Sequence, residues 1–96
     1  MYSADLIPVT EFCIHYHIDE RFIESLCEYG MAELVIVEEG RFLEADQIPG
    51  IEKMIRLHHD LEINLEGLDV INGLLQKIET LQQEINLLRK QLPGRE

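Results

Sequence analysis

Residues 10–30, TEFCIHYHIDERFIESLCEYG, decide the fold. Apolar residues recur at helical spacing on both sides of a short break at residues 17–19. Thr10 and Asp19 are expected to cap the two helices, because each side-chain oxygen can accept a backbone N–H of the first turn. Gly30 follows the second helix, at a place where a left-handed residue is common. Two short helices joined by a tight turn predict a helix-turn-helix.

Apolar segments at residues 34–37 and 41–43 come next, with Glu38-Glu39-Gly40 between them. This pattern predicts a β-hairpin whose turn uses Gly40 for a positive φ. A hairpin that follows a helix-turn-helix is a wing. The sequence therefore predicts a mainly α fold, a winged helix-turn-helix with a short β-hairpin wing.

A third helix is expected from Asp46, which would cap it, with Pro49 in the first turn, where a missing N–H costs nothing. The residues expected on its buried side are Ile51, Met54, Ile55, Leu57, His58 and Leu61. We assign residues 1–62 to the winged helix-turn-helix domain and residues 63–96 to a C-terminal coiled-coil or dimerisation helix.

This last helix is expected to begin after a cap at Asn64, to run from residue 65 to about residue 91, and to end at Pro93-Gly94. Its apolar residues form a heptad seam: Ile71, Leu74, Ile78, Leu81, Ile85, Leu88 and Leu92. Isoleucine at a and leucine at d favour two-stranded coiled coils, and in a parallel pair Glu84 would face Arg89 of the partner. Self-association is the favoured interpretation. Folding back onto its own domain, antiparallel pairing and binding of another protein stay open.

The charge of the chain is strongly negative. Its 96 residues include 19 acidic and 8 basic ones, for a net charge of −11, and residues 1–45 hold ten of the acids but only two of the bases. DNA binding depends on cations at phosphates, so this balance argues against DNA and favours a basic protein partner. No apolar run reaches the ~20 residues of a membrane span, and no targeting pattern opens the sequence. We therefore expect a cytoplasmic protein that does not enter a membrane.

The cysteines and histidines do not form a recognisable chemical motif. Cys13 and Cys27 lack the close spacing of zinc ligand pairs, and both fall on apolar helix faces, where a free cysteine acts as a small hydrophobe. His58 and His59 are consecutive on a helix and point about 100° apart, so we expect His58 to be packed and His59 exposed. No nucleophile signature, phosphate loop or metal motif is present. We predict no catalysis, no metal and no cofactor.

The acidic residues of the second helix and of the wing form the candidate binding surface. Glu20, Glu24 and Glu28 are spaced i, i+4, i+8 and share one helix face, and Glu38 and Glu39 lie at the wing tip. A DNA-binding helix-turn-helix would present cations to phosphates there. A solvated face without a partner is the plain alternative. The functional interpretation is that the reversed charge binds a basic protein surface.

Several segments resemble one family. They are TEFCIH at residues 10–15, Ile18-Asp19, Tyr29-Gly30 and RLHHDL at residues 56–61, followed by the leucine-rich helix. Together they resemble the chaperone modulator CbpM family of small MerR-like proteins, over essentially the whole chain. The resemblance implies a MerR-like fold and an inhibitor that binds the J-domain of a DnaJ-like co-chaperone, CbpA. It further implies that stimulation of the DnaK ATPase and the DNA binding of the co-chaperone are both reduced.

The resemblance leaves the binding face open, since it does not map contact residues one by one. Besides the acidic face, the side around Arg56, His59 and Glu62 is a possible partner contact. The alternative function is a MerR-type DNA-binding transcription regulator that uses Arg21 and Arg41 on DNA. A dimeric scaffold with an unrelated partner is the third interpretation.

Overall fold

The computed structural model describes residues 5–92, which form a mainly helical fold with one small sheet, as predicted. In chain order the elements are β1 (Leu6–Pro8), α1 (Val9–Tyr16), α2 (Glu20–Glu28), β2 (Val35–Val37), β3 (Gly40–Glu44), a 3-10 helix (Ala45–Gln47), α3 (Ile48–Leu61) and α4 (Leu65–Lys90). The predicted end of the last helix at Pro93-Gly94 lies outside the described residues.

The pair α1 and α2 is joined by three residues, as the sequence predicts. The side chain of Asp19 caps α2 by accepting the backbone N–H of Arg21 at 2.9 Å, and Gly30 follows α2 with a φ of 77°. The predicted cap at Thr10 is wrong, because α1 already begins at Val9 and Thr10 lies within its first turn. Pro8 starts the helix instead: its φ of −59° suits helix entry, and its strand pairing fixes the chain just before it.

The sheet has three antiparallel strands in the order β1-β3-β2. The hairpin β2–β3 confirms the predicted pair of strands, and β1, which sequence patterning does not reveal, adds a third strand to the other edge of β3. The turn differs from the expectation, because the positive φ angles belong to Glu38 (49°) and Glu39 (70°) and not to Gly40. Gly40 is needed for space, since a Cβ there would lie 2.9 Å from a ring carbon of Phe42.

The start of α3 also differs from the expectation. Asp46 lies in the 3-10 helix, so it does not cap α3, whose first turn does contain Pro49. Gln47 anchors this segment because its side-chain amide accepts the N–H of Glu33 and donates to the carbonyl of Glu33, both at 2.8 Å. The cap at Asn64 is confirmed: its side chain accepts the N–H of Gly67 at 2.8 Å.

The core lies between α1, α2, α3, β3 and the first turns of α4. The buried apolar residues are Val9, Phe12, Cys13, Ile23, Leu26, Ala32, Leu43, Ile51, Met54, Ile55 and Leu68. Leu57 and His58 are half-buried, as their predicted position requires, whereas Leu61 is 64% exposed, because α3 extends past the core at its last turn. Leu68 belongs to α4, so the first part of that helix packs on the same core. The division of the chain at residue 62 stays a prediction.

Two tyrosines tie the helices together. The Tyr16 hydroxyl donates to Glu52 of α3, and the Tyr29 hydroxyl donates to Glu66 of α4 at 3.1 Å. Each hydrogen bond favours the neutral phenol, so the carboxylate raises the pKa of both tyrosines above the ordinary value. These bonds fix α1 and α2 relative to the two long helices.

Candidate partner-binding surface

The acidic face of α2 is built as the spacing predicts. Glu20, Glu24 and Glu28 follow one another at one-turn intervals; Glu24 and Glu28 are exposed and Glu20 is half-buried. The opposite face of α2 carries Ile23 and Leu26, both fully buried, which fixes the rotation of the helix. The acidic side chains therefore point away from the core.

Arg41 of β3 reaches across to this face and binds two of its carboxylates. Its Nη1 donates to Glu24 Oε2 at 2.9 Å, and its Nη2 donates to Glu20. The hydrogen bond to Glu24 is the main cause that raises the pKa of Arg41. The sequence pattern does not predict this bridge, although the presence of Arg41 as one of only two bases among residues 1–45 was a usable signal. The bridge links the hairpin to α2, and the positive charge of Arg41 neutralises part of the negative charge of this face.

The turn of the hairpin presents Glu38 and Glu39 to solvent in left-handed backbone conformations. Left-handed backbone costs about 1–2 kcal/mol for a residue other than glycine. Two-residue hairpin turns with positive φ at both positions normally use Asn-Gly or Asp-Gly. Glu39 lines a shallow recess together with Thr10 and Arg41, which places the turn beside the Arg41 bridge. The structure thus brings Arg41, Glu20 and Glu24 together, with Glu28 one turn further along α2 and with Glu38 and Glu39 in the turn that precedes Arg41. We call the five glutamates the acidic surface.

The second set of candidate residues lies on α3. Arg56, His59 and Glu62 are all exposed at its C-terminal end, where Glu62 closes the helix with a φ of 56°. His58 is half-buried as predicted: its ring lies 4.8 Å from the ring of Phe22, and its Nδ1 is 2.8 Å from the carbonyl oxygen of Ile63. We call Arg56, His59 and Glu62 the α3 surface.

The cysteines are core thiols. Cys13 is buried and Cys27 is half-buried, and neither is in a disulfide. Burial raises the pKa of both thiols, because a thiolate is poorly solvated there. Among residues 5–92, no group of three or more histidine, cysteine or acidic side chains is placed to hold a metal ion. Within the same range, no helix combines the length and the apolarity that crossing a bilayer requires.

The seam of α4 is open to solvent over most of its length. Ile71 is half-buried, while the six remaining residues are between 47% and 59% exposed: Leu74, Ile78, Leu81, Ile85, Leu88 and Leu92. Leu87 is 58% exposed on another side of the helix. We call the seven residues from Ile71 to Leu92 the α4 seam. The role of the α4 seam stays a prediction.

Comparison with known proteins identifies the family. The family model for MerR HTH family regulatory proteins matches residues 7–90. A chaperone modulatory protein CbpM from Escherichia coli O1:K1 / APEC is 31% identical over 85 residues, which cover 88% of this chain and 84% of the relative. The chain belongs to the CbpM family. The CbpM protein of Escherichia coli O81 (strain ED1a) matches with the same identity and coverage.

Membership in the CbpM family fits the described architecture. The MerR match runs from β1 to the last residue of α4, so that the long helix is part of the matched family region. The CbpM relatives are named as chaperone modulators, that is, as regulatory proteins and not as enzymes. No solved structure was found to match the chain.

Proposed function

We propose that this CbpM-family protein inhibits a DnaJ-like co-chaperone by binding its J-domain through the acidic surface. The observation that carries the proposal is the charge of α2 and the hairpin. Six glutamates lie on these elements, five of them on the acidic surface, and one of their two arginines, Arg41, is already bound to Glu20 and Glu24. The surface is therefore left with unbalanced negative charge, which favours a basic partner.

We propose further that α1, α2 and the hairpin form a winged helix-turn-helix whose DNA-facing side has been reversed in charge. In this fold, the second helix and the wing are the elements that approach the phosphates. Carboxylates at those positions repel phosphates and attract lysine and arginine side chains. The basic helix of a J-domain, which the family resemblance implies as the ligand, is chemically such a partner.

The test is titration calorimetry with an isolated J-domain at several salt concentrations. The variant carries Glu28→Gln, Glu38→Gln and Glu39→Gln, three changes that leave the Arg41 bridge intact. Each exposed charge pair is worth about 0.2–1 kcal/mol, so the loss of three weakens the Kd by about three- to a hundredfold. The control removes the same charge from α4 with Asp69→Asn, Glu79→Gln and Glu84→Gln.

Wild-type binding should weaken steeply as salt rises, because exposed charges are screened over about 8–10 Å at physiological ionic strength. The control variant should bind as the wild type does. Equal affinity of the test variant and the wild type would remove the acidic surface from the proposal. The α3 surface would then take its place as the candidate face.

We also propose that two copies associate through the α4 seam. Full burial of a leucine or isoleucine is worth about 1.5–3 kcal/mol, so covering six half-exposed residues in each copy yields about 9–18 kcal/mol. This range overlaps the about 4–15 kcal/mol that association costs and extends above it. The free energy gained by burying the seam is therefore sufficient for two copies to associate. Residues 63–96 would act as the dimerisation segment.

The family match to MerR regulatory proteins favours DNA binding as the second candidate function. In that case Arg21 and Arg41 would contact phosphates. The Arg41 guanidinium is already bound by two carboxylates, which weakens this alternative. A gel-shift assay against genomic fragments at low salt distinguishes the two functions. Sequence-specific retention of DNA would support the regulator, and the absence of such retention would support the modulator.

A further inference from the structure

We infer that Ile36 is the apolar centre of the partner-binding surface on α2 and the hairpin, and that Ile14 of α1 is a second apolar contact. The inference rests on the proposed function and deepens it, because it assigns the apolar contacts that accompany the acidic ones. The occupant is the same basic partner, and the side chain that meets Ile36 is an apolar one within its basic face.

The position of Ile36 follows from the strand register. Ile36 of β2 pairs with Arg41 of β3, and directly paired residues in an antiparallel sheet project from the same face. Arg41 uses that face to reach Glu20 and Glu24. Ile36 therefore lies beside the Arg41 bridge, and it is 62% exposed on an edge strand.

Ile14 approaches the same region from α1. It is 74% exposed, and it follows Thr10 by four residues, so the two share one side of the helix. Thr10 lines the recess that also contains Glu39 and Arg41. Ile36 thus pairs with the arginine that binds Glu20 and Glu24, and Ile14 lies on the side of α1 that carries Thr10.

An apolar centre is what the acidic surface otherwise lacks. Exposed carboxylates at an interface mainly raise the association rate and the salt dependence, whereas the affinity comes from a few desolvated residues near the middle. Protein interfaces accordingly combine an apolar core with a polar rim. Ile36 and Ile14 supply the core here, and Glu24, Glu38 and Glu39 form the rim.

Leu61 offers a matched control. It is 64% exposed, close to the 62% of Ile36, but it lies at the end of α3 next to the α3 surface. Single exposed apolar residues are common on soluble proteins. A comparison of Ile36 with Leu61 therefore separates a binding residue from an incidental one, and it also separates the two candidate faces.

The experiment measures the Kd for an isolated J-domain by calorimetry, at low and at high salt, for Ile36→Thr, Ile36→Val, Ile14→Ser and Leu61→Gln. Threonine keeps the β-branched shape of residue 36 and removes most of its apolar contact. We expect Ile36→Thr to weaken the Kd at least tenfold at both salt concentrations, with an unchanged salt dependence. Ile14→Ser should weaken it about threefold, and Ile36→Val by about two- to fourfold, less than Ile36→Thr, because it removes only one buried methylene. Leu61→Gln should bind as the wild type does. Circular dichroism melts verify that each variant is folded.

Two results overturn the inference. The first is that Ile36→Thr binds the J-domain as tightly as the wild type does, or that only Leu61→Gln loses affinity. Either outcome would overturn the assignment of Ile36 as the apolar centre while leaving J-domain binding in place. A wild-type protein that does not bind the J-domain at any salt concentration would overturn the proposed function and the inference together.

Discussion

The hairpin turn is predicted to lower the stability of the fold, while its two carboxylates contribute to partner binding. Glu38 and Glu39 adopt φ values of 49° and 70°, which cost about 1–2 kcal/mol each for residues other than glycine. The double variant Glu38→Asn with Glu39→Gly relieves most of this strain, because Asn-Gly is the preferred sequence for such a turn. Glycine also makes the unfolded chain more flexible, which lowers the gain in free energy of unfolding by about 0.4–1 kcal/mol. The net gain is about 1–2 kcal/mol.

For a domain of this size, the gain corresponds to a rise in Tm of at least about 4 °C. The variant also loses two carboxylates of the acidic surface, so its affinity for a J-domain should fall while its stability rises. A second variant, Glu38→Gln with Glu39→Gln, separates the two effects: it removes the charge but keeps the left-handed turn. That variant should lose affinity without gaining stability.

The assay is thermal unfolding followed by circular dichroism, together with J-domain titration. Both use one fixed protein concentration, because the proposed self-association would make Tm concentration-dependent. An unchanged or lower Tm for the Asn-Gly variant would refute the strained turn. Wild-type affinity of both variants would refute a role of the turn in binding.

Three further predictions concern the rest of the molecule. Arg41→Ala should lower the urea midpoint of unfolding modestly, since it removes two half-exposed ion pairs, which contribute little each. Arg21→Ala should leave the midpoint nearly unchanged in the same urea melts. Ile78→Asp should convert the proposed dimer to a monomer in sedimentation velocity, whereas Leu87→Ser should leave the dimer intact, because Leu87 is 58% exposed, against 49% for Ile78, but lies outside the seam. Burial raises the pKa of Cys13, so its stabilising effect is complete below the pKa of the unfolded thiol and is lost as pH rises through the higher folded pKa. Urea melts between pH 7 and pH 10 should therefore show a stability loss that is smaller in Cys13→Ala.

Much of the fold could be predicted from local sequence signals. The helix pair follows from apolar spacing and the cap at Asp19, and the long helix follows from Asn64 and its heptads. The caps at Thr10 and Asp46 were wrong because neighbouring backbone decides where these helices begin: Pro8 is held by strand pairing, and Gln47 is bonded to Glu33. Such long-range contacts leave no local pattern.

The candidate surface was predicted by position but not by internal contacts. Helical spacing placed the three glutamates of α2 on one face, as the structure has them. The bridge from Arg41 depends on the packing of β3 against α2, and the exposure of Ile36 depends on the strand order, with β2 at the edge. Neither is encoded in a local stretch of sequence. The left-handed glutamates were also missed, because glycine was the expected residue for a positive φ.

The central claim is that a basic J-domain binds across α2 and the hairpin. Amide hydrogen exchange of the protein, with and without an isolated J-domain, tests it most directly. We predict slower exchange at residues 20–28 and 35–41 in the complex, with little change at residues 56–62. Protection confined to residues 56–62, or no protection anywhere at saturating J-domain, would contradict the claim.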